Sequence, residues 1–192
     1  MPDHKANKKL VQASKFLSLV LRHQPERIGV QLDGEGWVDV STLLLACEKH
    51  GQPITPDLLE EIVQTSDKKR FVIRDGRIRA NQGHSVAVDL ALQPVKPPSH
   101  LFHGTADRFL EAIRREGLRK MQRQHVHLSP DAETAREVGI RHGRPAILRI
   151  NAEGMYSADY EFFRSENGVW LTEFVPIEFI DELNGFLNNG GT

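Results

Sequence analysis

Two adjacent side chains that could bind and protonate an anion, Arg22 and His23, follow an amphipathic stretch. Apolar residues recur at helical spacing through residues 10–21, which predicts a helix with one buried face. We expect this helix to end near residue 24, because Pro25 disfavours helical geometry in the residue before it. Arg22 and His23 then lie at the helix end, where cations also complement the helix dipole. Both interpretations, an anion site and a helix-end charge pair, stay open on these residues alone.

A hairpin is predicted for residues 70–80, where an Asp-Gly pair separates two alternating runs. Pairing outward from this turn places Phe71, Ile73, Ile78 and Ala80 on the core face. The opposite face then carries four arginines: Arg70, Arg74, Arg77 and Arg79. Like charges that face each other across strands are unfavourable, so this face indicates an anionic partner. A merely solvated outer face is the alternative.

Four arginines are expected at element ends or on exposed faces: Arg22, Arg70, Arg79 and Arg123. The planar guanidinium presents a fork of donors that matches two phosphate oxygens at once. Converging guanidiniums repel one another, and a phosphate would relieve that repulsion. The arginines therefore favour phosphate recognition.

Two His-x-Ser/Thr tripeptides begin at His103 and His127, each on a predicted strand. Two-histidine phosphodiesterases use such pairs as acid and base, although the 24-residue separation is short for that architecture. His125 and His127 alternate on their strand and could hold a metal, but no further ligand completes such a site, so we expect none. Gly104, between a strand and a helix, could let backbone amides approach a flat polar ligand. No glycine-rich nucleotide fingerprint is present.

The composition is that of a globular protein, with 39% hydrophobic and 27% charged residues and a net charge of −1. The single cysteine, Cys47, lies in an apolar helical stretch and is expected to be a buried small side chain in a reduced, cytoplasmic compartment. The sequence has no apolar run long enough to span a membrane and no signal-peptide pattern. We expect no membrane partner and a monomer.

The predicted fold class is α+β. In the N-terminal part, a helix capped by Ser41 and a helix begun by Thr55-Pro56 precede the hairpin, and three helices followed by a hairpin outline a winged-helix domain. A proline-rich stretch follows. The predicted domains are 1–94, a linker at 95–99, and 100–192.

In the second part, strands are predicted at 101–103, 125–128 and 146–150, and an Asn-Gly hairpin within 161–175. Helices are predicted for 107–116 and, capped by Ser129-Pro130, to about residue 142.

Several segments, in one order along residues 10–180, resemble the NAD-dependent RNA 2′-phosphotransferase family. They are Ser-Lys-Phe-Leu-Ser (14–18), Leu-Arg-His (21–23), Gly-Trp (36–37), Thr-Ser-Asp-Lys-Lys-Arg-Phe (65–71), Ile-Arg-Ala-Asn-Gln-Gly-His-Ser (78–85), Phe-His-Gly-Thr (102–105), Arg123 with Val-His-Leu-Ser (126–129), Arg-His-Gly (141–143) and Asn-Gly-Val-Trp-Leu-Thr (167–172). Each segment is weak, but the ordered set is specific.

The resemblance implies an N-terminal winged-helix RNA-binding domain and a C-terminal ADP-ribosyltransferase-like, NAD-binding domain with a split antiparallel sheet, with the active site between them. It implies removal of an internal RNA 2′-phosphate in two steps. The phosphate first attacks the ribose of NAD and expels nicotinamide. The ribose 2″-hydroxyl then attacks the phosphorus, giving ADP-ribose 1″,2″-cyclic phosphate and 2′-hydroxyl RNA. The RNA is expected to be tRNA-like, and NAD is consumed.

The resemblance also implies the roles of individual residues. It places catalysis on Arg22, His23, Arg70 and Arg123. It places NAD binding on His103, Gly104, Thr105, His127 and Ser129, and RNA binding falls to the hairpin residues Arg74, Arg77 and Arg79. Glu173, the only carboxylate around residues 170–175, receives no acceptor-activating role.

Three alternatives remain at this point. The first is a metal-free phosphodiesterase that uses His103 and His127. The second is an NAD-dependent enzyme that ADP-ribosylates a terminal phosphate of RNA or DNA. The third is a winged-helix RNA-binding module without activity, based on the hairpin arginines.

Overall fold

The structure is a computed structural model that describes residues 4–66, 69–141 and 143–182. Residues Met1–Ala91 and Leu92–Thr192 form two compact units. Both units combine helices with small antiparallel sheets, in agreement with the predicted α+β class. Asp67, Lys68 and His142, which belong to two of the segments singled out above, lie outside the described residues. Within the described ranges, no helix combines the length and apolar character needed to cross a membrane.

The described residues of the first unit form three α-helices and one three-stranded sheet. The helices are α1 (His4–Arg22), α2 (Val40–Lys49) and α3 (Pro56–Thr65), and a 3-10 helix (Pro25–Ile28) follows α1. The strands are β1 (Val38–Asp39), β2 (Phe71–Arg74) and β3 (Arg77–Ala80), in the order β1-β3-β2. Cys47 is fully buried in the core of this unit, and burial raises the pKa of its thiol to about 11.

Helices α2 and α3 each begin after a residue with a short side chain that accepts a hydrogen bond from a backbone N–H of the first turn. Thr55 caps α3 as predicted, accepting from the Leu58 N–H at 3.2 Å. The prediction that Ser41 caps α2 is wrong, because Asp39 accepts the Thr42 N–H at 2.9 Å. The Ser41 hydroxyl instead donates to the Asp39 carboxylate at 2.6 Å, so the stronger acceptor, two residues earlier, takes the cap position.

The predicted hairpin register is confirmed: β2 pairs with β3 with Ile73 opposite Ile78 and Phe71 opposite Ala80. The expectation that Ile73 belongs to the core is wrong, since it is 37% exposed while Ile78 is fully buried. The reason is the strand order. β3 is the central strand and has β1 and β2 as hydrogen-bonded neighbours on its two edges. Ile73, in contrast, lies near the turn of β2, which is an edge strand.

The second unit contains one seven-residue strand pair and several short strands. Its strands are β4 (His100–Ala106), β5 (Leu118–Arg119), β6 (Val126–Leu128), β7 (Pro145–Asn151), β8 (Phe163–Arg164), β9 (Trp170–Thr172), β10 (Phe174–Val175) and β11 (Ile180–Glu182). Its helices are α4 (Leu110–Glu116), α5 (Ala132–Ile140) and α6 (Ala152–Ser157), with 3-10 turns at Asp107–Phe109 and Ile177–Phe179. The described sheets have the orders β11-β7-β4, β6-β9-β8 and β10-β5. The predicted Asn-Gly hairpin is confirmed as β8 and β9.

The start of α5 differs from the prediction. Asp131 caps this helix by accepting the Thr134 N–H at 2.7 Å, so the expectation of a Ser129-Pro130 cap is wrong. Ser129 instead forms a bridge with Phe102, with N–H···O distances of 2.7 and 2.9 Å. This bridge joins the end of β6 to β4. The proline-rich stretch is also attached to this unit, because the Val95 N–H donates to the Phe162 carbonyl at 2.7 Å.

Candidate functional site

In the first unit, the fold brings together Arg22, His23 and Arg70. Arg22 is the last residue of α1 and His23 follows it. The Arg22 Nη2 donates to the Arg70 carbonyl at 3.5 Å. The Arg70 Nη1 in turn donates to the Ser66 hydroxyl at 3.3 Å, at the end of α3. The Arg22–His23 pair thus lies beside Arg70, which is distant from it in sequence, as an anion site built from these residues requires.

The segment that follows β3 holds these residues in place through backbone contacts. The Asn81 N–H donates to the Arg70 carbonyl at 2.9 Å, as the predicted register requires, and the Asn81 side chain donates to the Lys69 carbonyl at 2.6 Å. The Ser85 N–H donates to the Arg22 carbonyl at 2.9 Å. No chemical role for Asn81 or Ser85 is evident from the sequence, since their side-chain contacts depend on segments distant in the chain.

Arg79 is buried, so the prediction that it lies on an exposed face is wrong. It is 7% exposed, and its guanidinium lies over the Trp37 ring with its centre 4.6 Å from the ring centroid. It also donates to the Glu35 carbonyl at 3.4 Å. β1, which follows Trp37, pairs with β3 and brings the indole over this face of the hairpin. Stacking on the indole stabilises a guanidinium that is removed from water.

The other two hairpin arginines, Arg74 and Arg77, lie directly opposite each other and are exposed, as predicted. Arg77 forms an ion pair with Asp33 and lies 5.8 Å from the Trp37 ring centroid. These contacts partly neutralise the like charges that the register brings together. Their role in RNA binding stays a prediction.

A second histidine, His84, lies near Arg22, His23 and Arg79. The sequence did not single it out for chemistry. It is 1% exposed, and neither ring nitrogen has a hydrogen-bond partner within the described part of the chain. The pKa of His84 is lowered to about 4, mainly by burial and additionally by the positive charges of Arg22, His23 and Arg79. No periodicity marks a histidine after a hairpin as buried, so the sequence offered no signal for it.

His84 should make the stability of the chain depend on pH. Its pKa is about 4 when folded and near 6.5 when unfolded, so the unfolded state binds the proton more readily. The stabilisation is complete above pH 6.5 and is lost as the pH falls toward 4, by about 2 kcal/mol at pH 5. Urea unfolding of His84→Leu should lack this part of the pH dependence.

The matched control for this prediction is His50→Gln, at an exposed histidine at the end of α2. This variant should keep the pH dependence of the natural chain. Equal losses between pH 7 and pH 5 in the natural chain and in His84→Leu would contradict the assignment.

In the second unit, His103, His127 and Arg123 form a connected group. The His103 Nδ1 lies 2.9 Å from the His127 carbonyl. A carbonyl only accepts, so Nδ1 of His103 carries a proton. The Arg123 Nη1 contacts Nδ1 of His127; because a guanidinium only donates, a hydrogen bond here requires Nδ1 of His127 to accept. Burial of its guanidinium lowers the pKa of Arg123, although the group stays charged at neutral pH.

Gly104 has a structural requirement that the sequence did not suggest. It lies inside β4, and a Cβ built on it would be 1.7 Å from the Ala135 carbonyl oxygen of α5. A Cβ on Gly139 of α5 would in turn be 2.7 Å from the Thr105 carbonyl oxygen. The two glycines allow a helix and a strand to touch through their backbones. Close helix–strand packing thus requires glycine at this position, and contact of the Gly104 backbone with a ligand stays a prediction.

A cavity of about 510 Å³ lies elsewhere in this unit, and its lining includes Lys120, His125, Tyr160 and Glu173. Glu173 forms an ion pair with Lys120 at 2.8 Å, which lowers the pKa of this glutamate. His125 contacts the Phe163 ring, with centroids 5.6 Å apart. Among the residues the structure describes, no group of three or more His, Cys, Asp or Glu side chains could hold a metal ion.

Comparison with known proteins gives one consistent result. The model of the family described as "RNA 2′-phosphotransferase, Tpt1 / KptA family" matches residues 8–174. A probable RNA 2′-phosphotransferase of Streptomyces griseus is 52% identical over 182 residues, covering 90% of this chain and 96% of the relative. Similar relatives with the same description come from Flavobacterium johnsoniae (51% over 170 residues; 88% and 93%) and Acaryochloris marina (50% over 179 residues; 92% and 99%).

Proposed function

Since this chain belongs to the RNA 2′-phosphotransferase family, we propose that it removes an internal 2′-phosphate from RNA by transferring it to NAD. The observation that carries the proposal is the grouping of Arg22, His23 and Arg70 in the first unit. Guanidiniums bind phosphate oxygens through charge-assisted, bidentate hydrogen bonds, and the departing 2′-oxygen of the proposed reaction takes up a proton from an acid nearby. The residues that the family resemblance singled out supply both.

The proposed reaction has two steps. In the first, an oxygen of the RNA 2′-phosphate forms a bond to C1″ of the NAD ribose, and the bond from C1″ to nicotinamide breaks. In the second, the 2″-hydroxyl of that ribose gives up its proton and bonds to phosphorus, the bond from phosphorus to the RNA 2′-oxygen breaks, and this oxygen takes up a proton. The products are nicotinamide, ADP-ribose 1″,2″-cyclic phosphate and RNA with a 2′-hydroxyl.

The proposed roles follow from the chemistry of each step. The phosphate is already an anion near neutral pH, so the first step depends on positioning more than on a base. The second step places charge on the phosphorus oxygens, where the guanidiniums of Arg22, Arg70 and Arg123 stabilise it. His23 donates a hydrogen bond to the phosphate and serves as the acid that protonates the departing 2′-oxygen.

The second unit offers a donor and acceptor set suited to the ribose and amide groups of NAD. We assign this role to His103, Thr105, His127 and Ser129, and to the backbone of Gly104. The supporting observation is that one nitrogen of each ring has a hydrogen-bond role, Nδ1 of His103 as donor and Nδ1 of His127 as acceptor. NAD would supply a sugar carbon with a good leaving group.

Finer features of the fold and setting belong to the same proposal. The three helices and the β2–β3 hairpin support a winged-helix domain, with Arg74 and Arg77 presented to RNA. We assign the second unit to the ADP-ribosyltransferase type. We further propose a tRNA-like substrate, a monomer and a cytoplasmic location.

An RNA with one internal 2′-phosphate, incubated with and without NAD, tests the proposal. Loss of the phosphate only with NAD, with release of nicotinamide, is the expected result. Strand cleavage without NAD would instead indicate the two-histidine phosphodiesterase, and binding without any change would indicate an RNA-binding module. ADP-ribose added to a terminal phosphate would indicate the other NAD-dependent alternative.

A further inference from the structure

We propose that Ser85 is a positioning residue that holds the imidazole of His23, an inference that rests on the proposed function. The Ser85 Oγ lies 2.9 Å from Nδ1 of His23, 62 positions earlier in the chain. When His23 is protonated, both ring nitrogens donate, so the serine oxygen accepts from Nδ1–H. The contact fixes the rotation of the ring. We assign the other ring nitrogen, Nε2, to the phosphate.

Backbone contacts around Ser85 make this hold rigid. The N–H groups of Ser85 and Val86 both donate to the Arg22 carbonyl, at 2.9 and 3.3 Å. The serine is therefore tied to the residue that directly precedes His23. A serine whose backbone is held in this way loses little freedom when its hydroxyl contacts the ring, which makes the contact effective for orientation.

The residue before Ser85, His84, anchors residues 81–86 through its burial. His84 is 1% exposed and packs against Gly36, where a Cβ would be 3.4 Å from its Nε2. Gly36 has a φ of +83°, in the region that favours glycine. At the start of the segment, Asn81 is bonded to the Lys69 and Arg70 carbonyls. Residues 81–86 thus contact the backbone of Arg22 and Arg70 and the ring of His23.

The inference predicts an effect on chemistry without an effect on folding. Ser85 is exposed, so Ser85→Ala should change the free energy of unfolding by less than about 0.5 kcal/mol. A loosely held His23 ring should lower the rate of the second step by about 10- to 100-fold, with the KM for NAD unchanged. Ser85→Thr keeps the hydroxyl and should restore most of the rate.

A double-mutant cycle shows whether Ser85 acts through His23. In a chain that already carries His23→Ala, Ser85→Ala should cause no further loss of rate. The control is Ser41→Ala, at another exposed serine of the same unit whose hydroxyl donates to a side chain. This variant should keep the rate of the natural chain.

Two rate measurements can overturn the inference: a Ser85→Ala rate within twofold of the Ser41→Ala rate, or a full additional loss in the His23→Ala background. Nitrogen NMR of the His23 ring gives a reading that does not depend on activity. Its Nδ1 signal should shift in Ser85→Ala, and an unchanged signal also overturns the inference. A natural chain that shows this contact but leaves the 2′-phosphate in place contradicts the proposed function instead.

Discussion

Arg70→Ala is expected to lower the rate of RNA 2′-phosphate removal by about 10²–10³-fold. The Arg70 side chain is half-buried and held by the Ser66 hydroxyl, and its carbonyl receives the Arg22 guanidinium. Arg70→Lys should remain at least about tenfold slower than the natural chain, because an ammonium keeps the charge but lacks the planar fork. Single-turnover assays that follow each step separately provide the measurement.

The control for Arg70 is Arg27→Ala, at an exposed arginine in the 3-10 helix after α1. This variant should leave the rate unchanged. Arg123→Ala should cause a comparable loss with α1 intact, because we propose that the Arg123 guanidinium stabilises charge on the phosphorus oxygens. An exposed arginine of α5, Arg136, provides its matched control. Rates within twofold of the natural chain for Arg70→Ala and Arg123→Ala would remove both residues from the mechanism.

Gly104→Ala is expected to destabilise the second unit by about 3 kcal/mol or more. The new methyl group would meet the Ala135 carbonyl oxygen at 1.7 Å and its carbon at 2.6 Å. Both atoms belong to helix backbone, so no side chain can rotate away and α5 must separate from β4. Urea unfolding, followed by circular dichroism, gives the free energy.

The control for this prediction is Gly34→Ala, where no heavy atom lies within 4 Å of the added carbon. That variant should unfold within about 0.5 kcal/mol of the natural chain. A Gly104→Ala chain of unchanged stability would show that β4 and α5 do not pack this closely.

Local rules predicted much of the first unit. The Asp-Gly pair gave the hairpin and its register, and Thr55-Pro56 gave the start of α3. The start of α2 was missed because Asp39 and Ser41 are both good capping residues, and the sequence does not say which backbone N–H is nearest. Where two candidates lie within one turn, only the geometry of the chain decides between them.

The failures at the candidate site all involve contacts between distant segments. Arg79 is buried because Trp37 covers it, and that depends on the pairing of β1 with β3, which no local pattern predicted. The requirement at Gly104 comes from a helix about 30 residues later in the chain. The hold of Ser85 on His23 likewise spans 62 positions. Residue types favoured phosphate recognition, which stays a prediction, whereas the supporting contacts needed the fold.

The fate of the phosphorus atom tests the central proposal most directly. An RNA carrying a radioactive internal 2′-phosphate is incubated with the chain and NAD, and the labelled products are separated. The proposal predicts that the label leaves the RNA in a compound that also contains ADP-ribose, with one nicotinamide released per phosphate. Label released as inorganic phosphate, or released equally well without NAD, would contradict it.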